Sequence, residues 1–271
     1  MGSGIAYSGA LAGIPIQLFD SSDFALDASE GRIGGYLQEA VARGRLAKDD
    51  AAKVSRLVSR VDSIADAVEG AHVVIETIIE DLDAKCQLLR EAESNAPPSA
   101  ILATNTSAIS ITAIAGALND PTRFVGMHFF NPVFAMPLCE IVVGLATSEA
   151  TTEYARLVAE KMGKKPITVK DYPGFVTSRM NAMIGNEAFH MLQEGIASAT
   201  DIDLALKLGL NHPMGPFELV DLVGLDIRLA VLRELHRSLG DKYRPAPLLE
   251  QYVSAGRLGR KAGRGVFDYL R

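Results

Sequence analysis

Hydrophobic positions along this chain follow one rhythm up to about residue 171 and another beyond it. Met1-Gly2-Ser3-Gly4-Ile5-Ala6 reads as the start of a helix, Gly13 breaks the pattern, and Ile14 to Phe19 form a short apolar run ending in Asp20. That is the order helix, turn, buried strand. From Phe24 to about Val61 the chain is helical and charged, with a break near Gly44 and a second start around Lys48-Asp49-Asp50, which predicts a helical hairpin. Gly31, Gly34 and Gly35 weaken its first arm by about 1 kcal/mol each relative to alanine. Compact apolar runs then recur at His72 to Ile75, Ala100 to Ala103, Arg123 to His128, Cys139 to Val143 and Pro166 to Val169. Leu82 to Ala92 and Ile111 to Leu118 lie between them with helical or turn-rich character, and such alternation predicts βα units on a largely parallel sheet.

After Asp171-Tyr172-Pro173-Gly174 only helical patterns remain: Met180 to Gln193, Ile202 to Leu208, Phe217 to Leu239 and Pro247 to Ala255. Gly195, Gly209, Gly240 and Gly256 act as their stops. Two domains are therefore expected, a sheet-containing one over residues 1–171 and an all-helical one over residues 172–271. The fold class is α/β, a doubly wound, mostly parallel sheet with a helical-hairpin insertion, followed by an all-α domain.

Composition narrows the possible partners. Of 271 residues 27 are Lys or Arg and 33 are Asp or Glu, a formal charge of −6 that gives no general attraction for nucleic acid. With 48% hydrophobic and 22% charged residues the chain can bury a substantial core. Cys86 and Cys139 form no Cys-x-x-Cys pair, so neither a disulfide framework nor a metal site is suggested, and a reducing cytoplasm fits. No apolar stretch approaches the roughly 20 residues of a membrane span.

The glycine-rich start, a helix, a strand and Asp20 have the layout of a dinucleotide-binding βαβ unit. In such a unit the helix N-terminus faces a pyrophosphate and the acid meets the adenosine ribose. Ser21 and Ser22 follow without a nearby arginine, which favours NAD over NADP. The same layout suits a plain βαβ unit whose strand ends in Asp. Among five histidines, His72, His190, His212 and His236 read as surface or core groups. His128 ends an apolar run, so it emerges where a strand gives way to a loop, the region where α/β sheets bind ligands. Glu140 lies in the apolar segment Leu138 to Val143 and needs a partner there, because an unpaired buried carboxylate costs several kcal/mol. An imidazole could be that partner, and such a pair makes a general base. Two unrelated buried polar groups would give the same spacing. Asn105-Thr106-Ser107 follows another strand, where it could bond a substrate oxygen or cap a helix.

Taken together, these residues resemble the L-3-hydroxyacyl-CoA dehydrogenase family over essentially the whole chain. The motifs are Gly2-Ser3-Gly4-Ile5-Ala6, Asn105-Thr106-Ser107, Gly126 to Pro132, Pro173-Gly174-Phe175, Pro213-Met214-Gly215-Pro216 and Gly259-Arg260-Lys261-Ala262-Gly263-Arg264-Gly265. The resemblance implies a Rossmann-type first domain and NAD-linked oxidation of a 3-hydroxyacyl-CoA to the 3-ketoacyl-CoA, or its reverse. It implies that His128 is the general base, Glu140 its partner, and Ser107 a catalytic contact to the substrate oxygen that also lies in the cofactor site. Gly2, Asp20, Glu80, Lys85, Asn131 and Lys261 match positions that contact NAD, and Arg43 matches a basic contact to CoA on the helical arm. The helical domain resembles the family's dimerisation unit, which implies a homodimer.

Three departures stand out. Ser178 follows Pro173-Gly174-Phe175 where many members carry an asparagine as substrate contact, and Tyr36 stands where some carry a CoA-contacting serine. The family begins with a strand and Gly-x-Gly-x-x-Gly, of which only Gly2 is present, so roughly 10 to 15 residues are expected upstream of Met1. Weak NAD binding is expected of the short form. Two other functions remain open: a dehydrogenase of the same fold acting on a hydroxy acid or sugar acid without CoA, and a catalytically silent binding or structural protein.

Overall fold

A computed structural model describes residues 1–269 and divides the chain into two units, the first spanning Met1–Asp171 and the second starting at Tyr172. In the first unit α1 (Gly2–Leu11) leads through a turn at Gly13 to β1 (Ile16–Leu18). The Ser22 hydroxyl accepts from the Ala25 N–H and so starts α2 (Asp23–Ala42), after which Gly44 reverses the chain into α3 (Lys48–Ser55). The predicted hairpin thus forms, but its second arm stops at Ser55 rather than near Val61. Residues Val58–Arg60 are instead a strand, β2, paired in parallel with β1. The physical reason is backbone pairing: the Ile16 N–H donates to the Leu57 carbonyl at 2.7 Å and the Val61 N–H to the Leu18 carbonyl at 3.1 Å. These ladder bonds outweigh the helical propensity of the charged stretch before them.

A short helix, α4 (Ile64–Val68), precedes β3 (Val73–Glu76). Then come α5 (Leu82–Asn95), capped by Asp81, and β4 (Ile101–Thr104). Next are α6 (Ile111–Ala115), β5 (Phe124–Phe129), β6 (Leu138–Val143), α7 (Glu149–Lys161) and β7 (Lys165–Lys170). The strands form two sheets, β1-β2 and β3-β4-β5-β6-β7, with every pairing parallel except β5 with β6. Every residue of β4 and β5 is buried, as expected of strands covered on both faces. β7 is the outer strand, and its exposed Lys165 and Lys170 discourage further pairing.

The second unit is helical: α8 (Thr177–Gln193), α9 (Ala199–Gly209), α10 (Pro216–Val223), α11 (Leu225–Leu239) and α12 (Pro247–Ser254). The single helix predicted over Phe217 to Leu239 is two helices. Gly224 separates them at φ 110°, a value that side-chain-bearing residues rarely adopt, so the sequence pattern runs on while the backbone turns. Phe189, Phe217, Leu225, Leu232 and Leu249 form the core of this unit. Buried Asp221 accepts the N–H groups of Val266 and Phe267, which ties down the segment after the glycine-rich turn.

Candidate active site

The antiparallel pairing of β5 with β6 sets His128 directly opposite Glu140. Nδ1 of His128 lies 2.8 Å from Oε2 of Glu140, and the carboxylate side chain has no exposed surface. An ionised carboxylate can only accept, so when Glu140 is ionised it selects the tautomer in which Nδ1 donates to it. The imidazole retains 8% exposure at the carboxyl end of β5, with the Phe130 ring centred 4.5 Å away. Cys139, one residue before Glu140, is buried and its thiol is pushed up to about 12, so it contributes no nucleophile.

The loop after β4 is joined to the same place. Asn105 Oδ1 accepts the N–H of Phe129 at 2.9 Å, which anchors the loop beside His128. Ser107 follows, exposed, and Glu80 holds it: Oε1 of Glu80 accepts from the Ser107 N–H at 3.0 Å, the Ser107 hydroxyl at 3.4 Å and the Thr106 hydroxyl at 2.5 Å. Behind Glu80 stands Lys85, whose Nζ is 3.5 Å from Glu80 Oε2 and 2.7 Å from Oε1 of Glu76. Glu76 also accepts from the Thr104 hydroxyl at 2.6 Å and the Ile78 N–H at 2.6 Å. Lys85 and Glu76 are almost fully enclosed, so this is a satisfied buried ion pair that fixes the ends of β3 and β4.

Glu80 and Lys85 therefore engage each other and the Ser107 loop. Asn105, Thr106, Thr104 and Glu76 complete the network. Of these, Glu76 and Thr104 were not singled out in the sequence, although an acid closing the apolar run His72 to Ile75 was an available signal for the first.

Asp20 is exposed after β1, and one carboxylate oxygen accepts the Ser22 N–H at 3.0 Å. Gly2 opens α1, and a Cβ there would stand 2.8 Å from the Thr77 hydroxyl, just past β3, so glycine is what lets the helix start approach the strand end. An exposed acid at one strand end and a closely approached helix start at the other fit a dinucleotide. Asn131 lies exposed in the loop after β5. Arg43 is exposed at the end of α2, paired with Glu39 at 2.5 Å. Tyr36 packs in an aromatic cluster, its ring 5.4 Å from Tyr7 and 4.9 Å from Phe134. In the helical unit Ser178 is half-buried in the first turn of α8, and Lys261 donates to Asp226 at 2.7 Å.

Comparison with known proteins accounts for both units. Residues 1–172 match the NAD binding domain of 3-hydroxyacyl-CoA dehydrogenase, and residues 174–269 match its C-terminal domain. The chain is 44% identical over 270 residues to a probable 3-hydroxybutyryl-CoA dehydrogenase of Bacillus subtilis, covering 99% of this chain and 94% of the relative. It is 42% identical over 273 residues to a 3-hydroxybutyryl-CoA dehydrogenase of Bradyrhizobium diazoefficiens, covering 99% and 92%. The crystal structure of (S)-3-hydroxybutyryl-CoA dehydrogenase from Ralstonia eutropha superposes with a TM-score of 0.97 at 41% identity, covering 100% of this chain and 96% of that one. With both domains matched in order along the chain, this protein belongs to the 3-hydroxyacyl-CoA dehydrogenase family.

Proposed function

We propose that the protein oxidises a (3S)-3-hydroxyacyl-CoA to the 3-ketoacyl-CoA, or runs the reverse reaction, with His128 as general base. The observation that carries this reading is the 2.8 Å contact between His128 Nδ1 and Glu140 Oε2 at the carboxyl end of β5. NAD, when bound, supplies the hydride acceptor. Nε2 of His128 removes the proton of the 3-hydroxyl, and Glu140 stabilises the resulting imidazolium while keeping the ring in the productive tautomer. Ser107, with its backbone and hydroxyl fixed by Glu80, bonds the substrate oxygen. Gly2, Asp20 and Asn131 are the residues of the first unit that would meet NAD, with Glu80 and Lys85 acting beside them through the Ser107 loop. Arg43 is the arm's cation for CoA phosphate, and Ser178 and Lys261 keep the substrate and cofactor roles that the family resemblance implies for them.

A homodimer and a cytoplasmic setting belong to the same reading. Val176, Met180, Leu222 and Ile227 of the helical unit are large apolar side chains left exposed, and a second copy would cover them. Both cysteines are reduced and buried, and among the described residues no helix is long and apolar enough to cross a membrane.

The test follows NADH absorbance with acetoacetyl-CoA on the unaltered chain and on His128→Ala. The substitution is expected to lower turnover roughly 10²- to 10⁴-fold with the fold retained by circular dichroism. Turnover indifferent to His128→Ala would sink the mechanism.

A further inference from the structure

The loop between β5 and β6 is shared by several working parts of the first unit. Phe130 lies against the base, its ring centred 4.5 Å from that of His128. Asn131 follows as the loop's candidate contact to the cofactor. Val133 is buried against the first turn of α1, where a Cβ on Gly4 would stand 3.1 Å from its Cγ2. Phe134 reaches the arm, its ring 4.9 Å from that of Tyr36 on α2 and 5.9 Å from that of Tyr7 on α1. Base, cofactor helix and arm therefore all meet within residues 130–134.

The loop has little regular bonding of its own. Ala135 and Met136 both donate to the Pro132 carbonyl at 3.0 Å, which closes one turn. What ties that turn down is Lys164, in the connection between α7 and β7. Its side chain is buried, and Nζ donates to the Val133 carbonyl at 2.5 Å and to the Met136 carbonyl at 3.2 Å. Among the described residues neither carbonyl takes a backbone N–H, and no carboxylate pairs with the amine. Burial holds this ammonium below the usual lysine range. An ammonium held by carbonyls alone is poorly compensated for the water it gives up. What the fold gains from it is a loop held from beneath at two points. The backbone under it is set in turn: Gly163 adopts φ 73°, and the Lys164 N–H donates to the Ala159 carbonyl at 2.9 Å.

We propose that Lys164 is a positioning residue for the reaction, holding the CoA arm and the His128 end of β5 in one fixed relation through residues 130–134. The proposal rests on the dehydrogenase reading above, which gives the arm to CoA and the base to His128. Lys164 lies beneath the loop and acts through Val133 and Phe134 rather than by contact with the substrate. Its loss therefore shows most where the substrate needs the arm. The arm's Arg43 is the cation for CoA phosphate, so a thioester without the nucleotide escapes most of the effect.

The test compares acetoacetyl-CoA with acetoacetyl-pantetheine, which has the same reacting carbonyl and no nucleotide, in NADH oxidation. Lys164→Met keeps the stem and removes the donors. It is expected to raise KM for acetoacetyl-CoA about tenfold and KM for acetoacetyl-pantetheine less than about twofold. A merely structural lysine would lower the folded fraction, and with it kcat for both thioesters, without moving the ratio of the two KM values. Phe134→Ala cuts the loop from the arm and leaves the lysine in place. That side chain is 40% exposed, so this variant decides the matter even if Lys164→Met fails to fold. It is expected to give the same selective rise, about tenfold, and the double variant no further rise. Parallel changes in the two KM values, no change in either, or additive effects in the double variant would each overturn the proposal while leaving the dehydrogenase reading in place. No turnover of either thioester by the unaltered chain would overturn that reading, and the proposal with it.

Discussion

The first unit contains two parallel-sheet blocks made from similar residues, and they differ in what they hold. In the five-stranded block Leu102, Ala103, Val125 and Met127 have no exposed surface, and β4 and β5 are laddered on both sides. In the two-stranded block Ile16, Leu18 and Val58 are only half-buried, and among the described residues each strand has a single neighbour. The charges follow the same division. The five-stranded block encloses the pairs Lys85 with Glu76 and His128 with Glu140, whereas the two-stranded block keeps Arg60 at the surface against Asp23 and Asp27. A backbone fixed on both sides can hold ionised groups at set distances out of water. A backbone fixed on one side keeps its charges at the surface, in contact with water.

The strongest way to break this contrast is Lys85→Met. Removing one partner of an enclosed pair leaves Glu76 buried without its cation, which costs about 3 to 5 kcal/mol. Urea unfolding followed by circular dichroism is expected to show that loss. Turnover should fall as well, because Glu80 and the Ser107 loop lose their backing. A loss below about 1 kcal/mol would mean that water reaches Glu76 and that the block is less closed than its burial indicates.

Next in size is a matched pair of truncations. Leu102 has no exposure, so Leu102→Ala should cost about 2 to 5 kcal/mol through lost burial and the cavity left behind. Leu18 is half-buried, so Leu18→Ala should cost about 1 kcal/mol or less. Equal losses would remove the distinction between the blocks. A loss for Leu18→Ala several-fold below that for Leu102→Ala would sharpen it.

The sequence made the five-stranded block legible because its apolar runs are uninterrupted, and a run such as Ile101 to Ala103 has one reading once helices flank it. It was poorer for the two-stranded block. Val58–Arg60 carries an arginine and a serine, and only its partner β1, about forty residues earlier, makes it a strand. Gly224 was visible but did not look like a break, since apolar periodicity continues across it. At the candidate site, His128 and Glu140 were readable because a strand end and a charged residue in an apolar segment are both anomalies. That they stand directly opposite depends on register, which spacing along the chain does not specify. Glu80 was tied to the cofactor by resemblance, while its hydrogen bonds to Thr106 and Ser107 belong to tertiary structure alone.

Glu80 gives the third prediction. Glu80→Gln keeps the size and one acceptor but loses the charge facing Lys85, and the amide must place its oxygen towards the Ser107 loop. Turnover is expected to fall about tenfold, near 1.4 kcal/mol in the barrier, with KM for the acyl-CoA changed less. An unchanged turnover would separate the Ser107 loop from the ion-pair network.

Arg60→Gln is expected to have the smallest effect, and salt is the instrument that reads it. Arg60 binds Asp27 at 2.7 Å and Asp23 at 2.5 Å, and both aspartates are more than two-thirds exposed. Such pairs compete with water and with dissolved ions. At low ionic strength the substitution should lower the thermal midpoint slightly, and in 1 M salt, where the screening length is about 3 Å, the difference from the unaltered chain should shrink towards zero. The deficit of Lys85→Met should persist at both ionic strengths, because its pair lies where salt does not reach. If the Arg60→Gln difference also survived 1 M salt, the arginine would be acting through packing of its stem between β2 and α2, and the two-stranded block would owe its stability to buried surface rather than to its exposed charges.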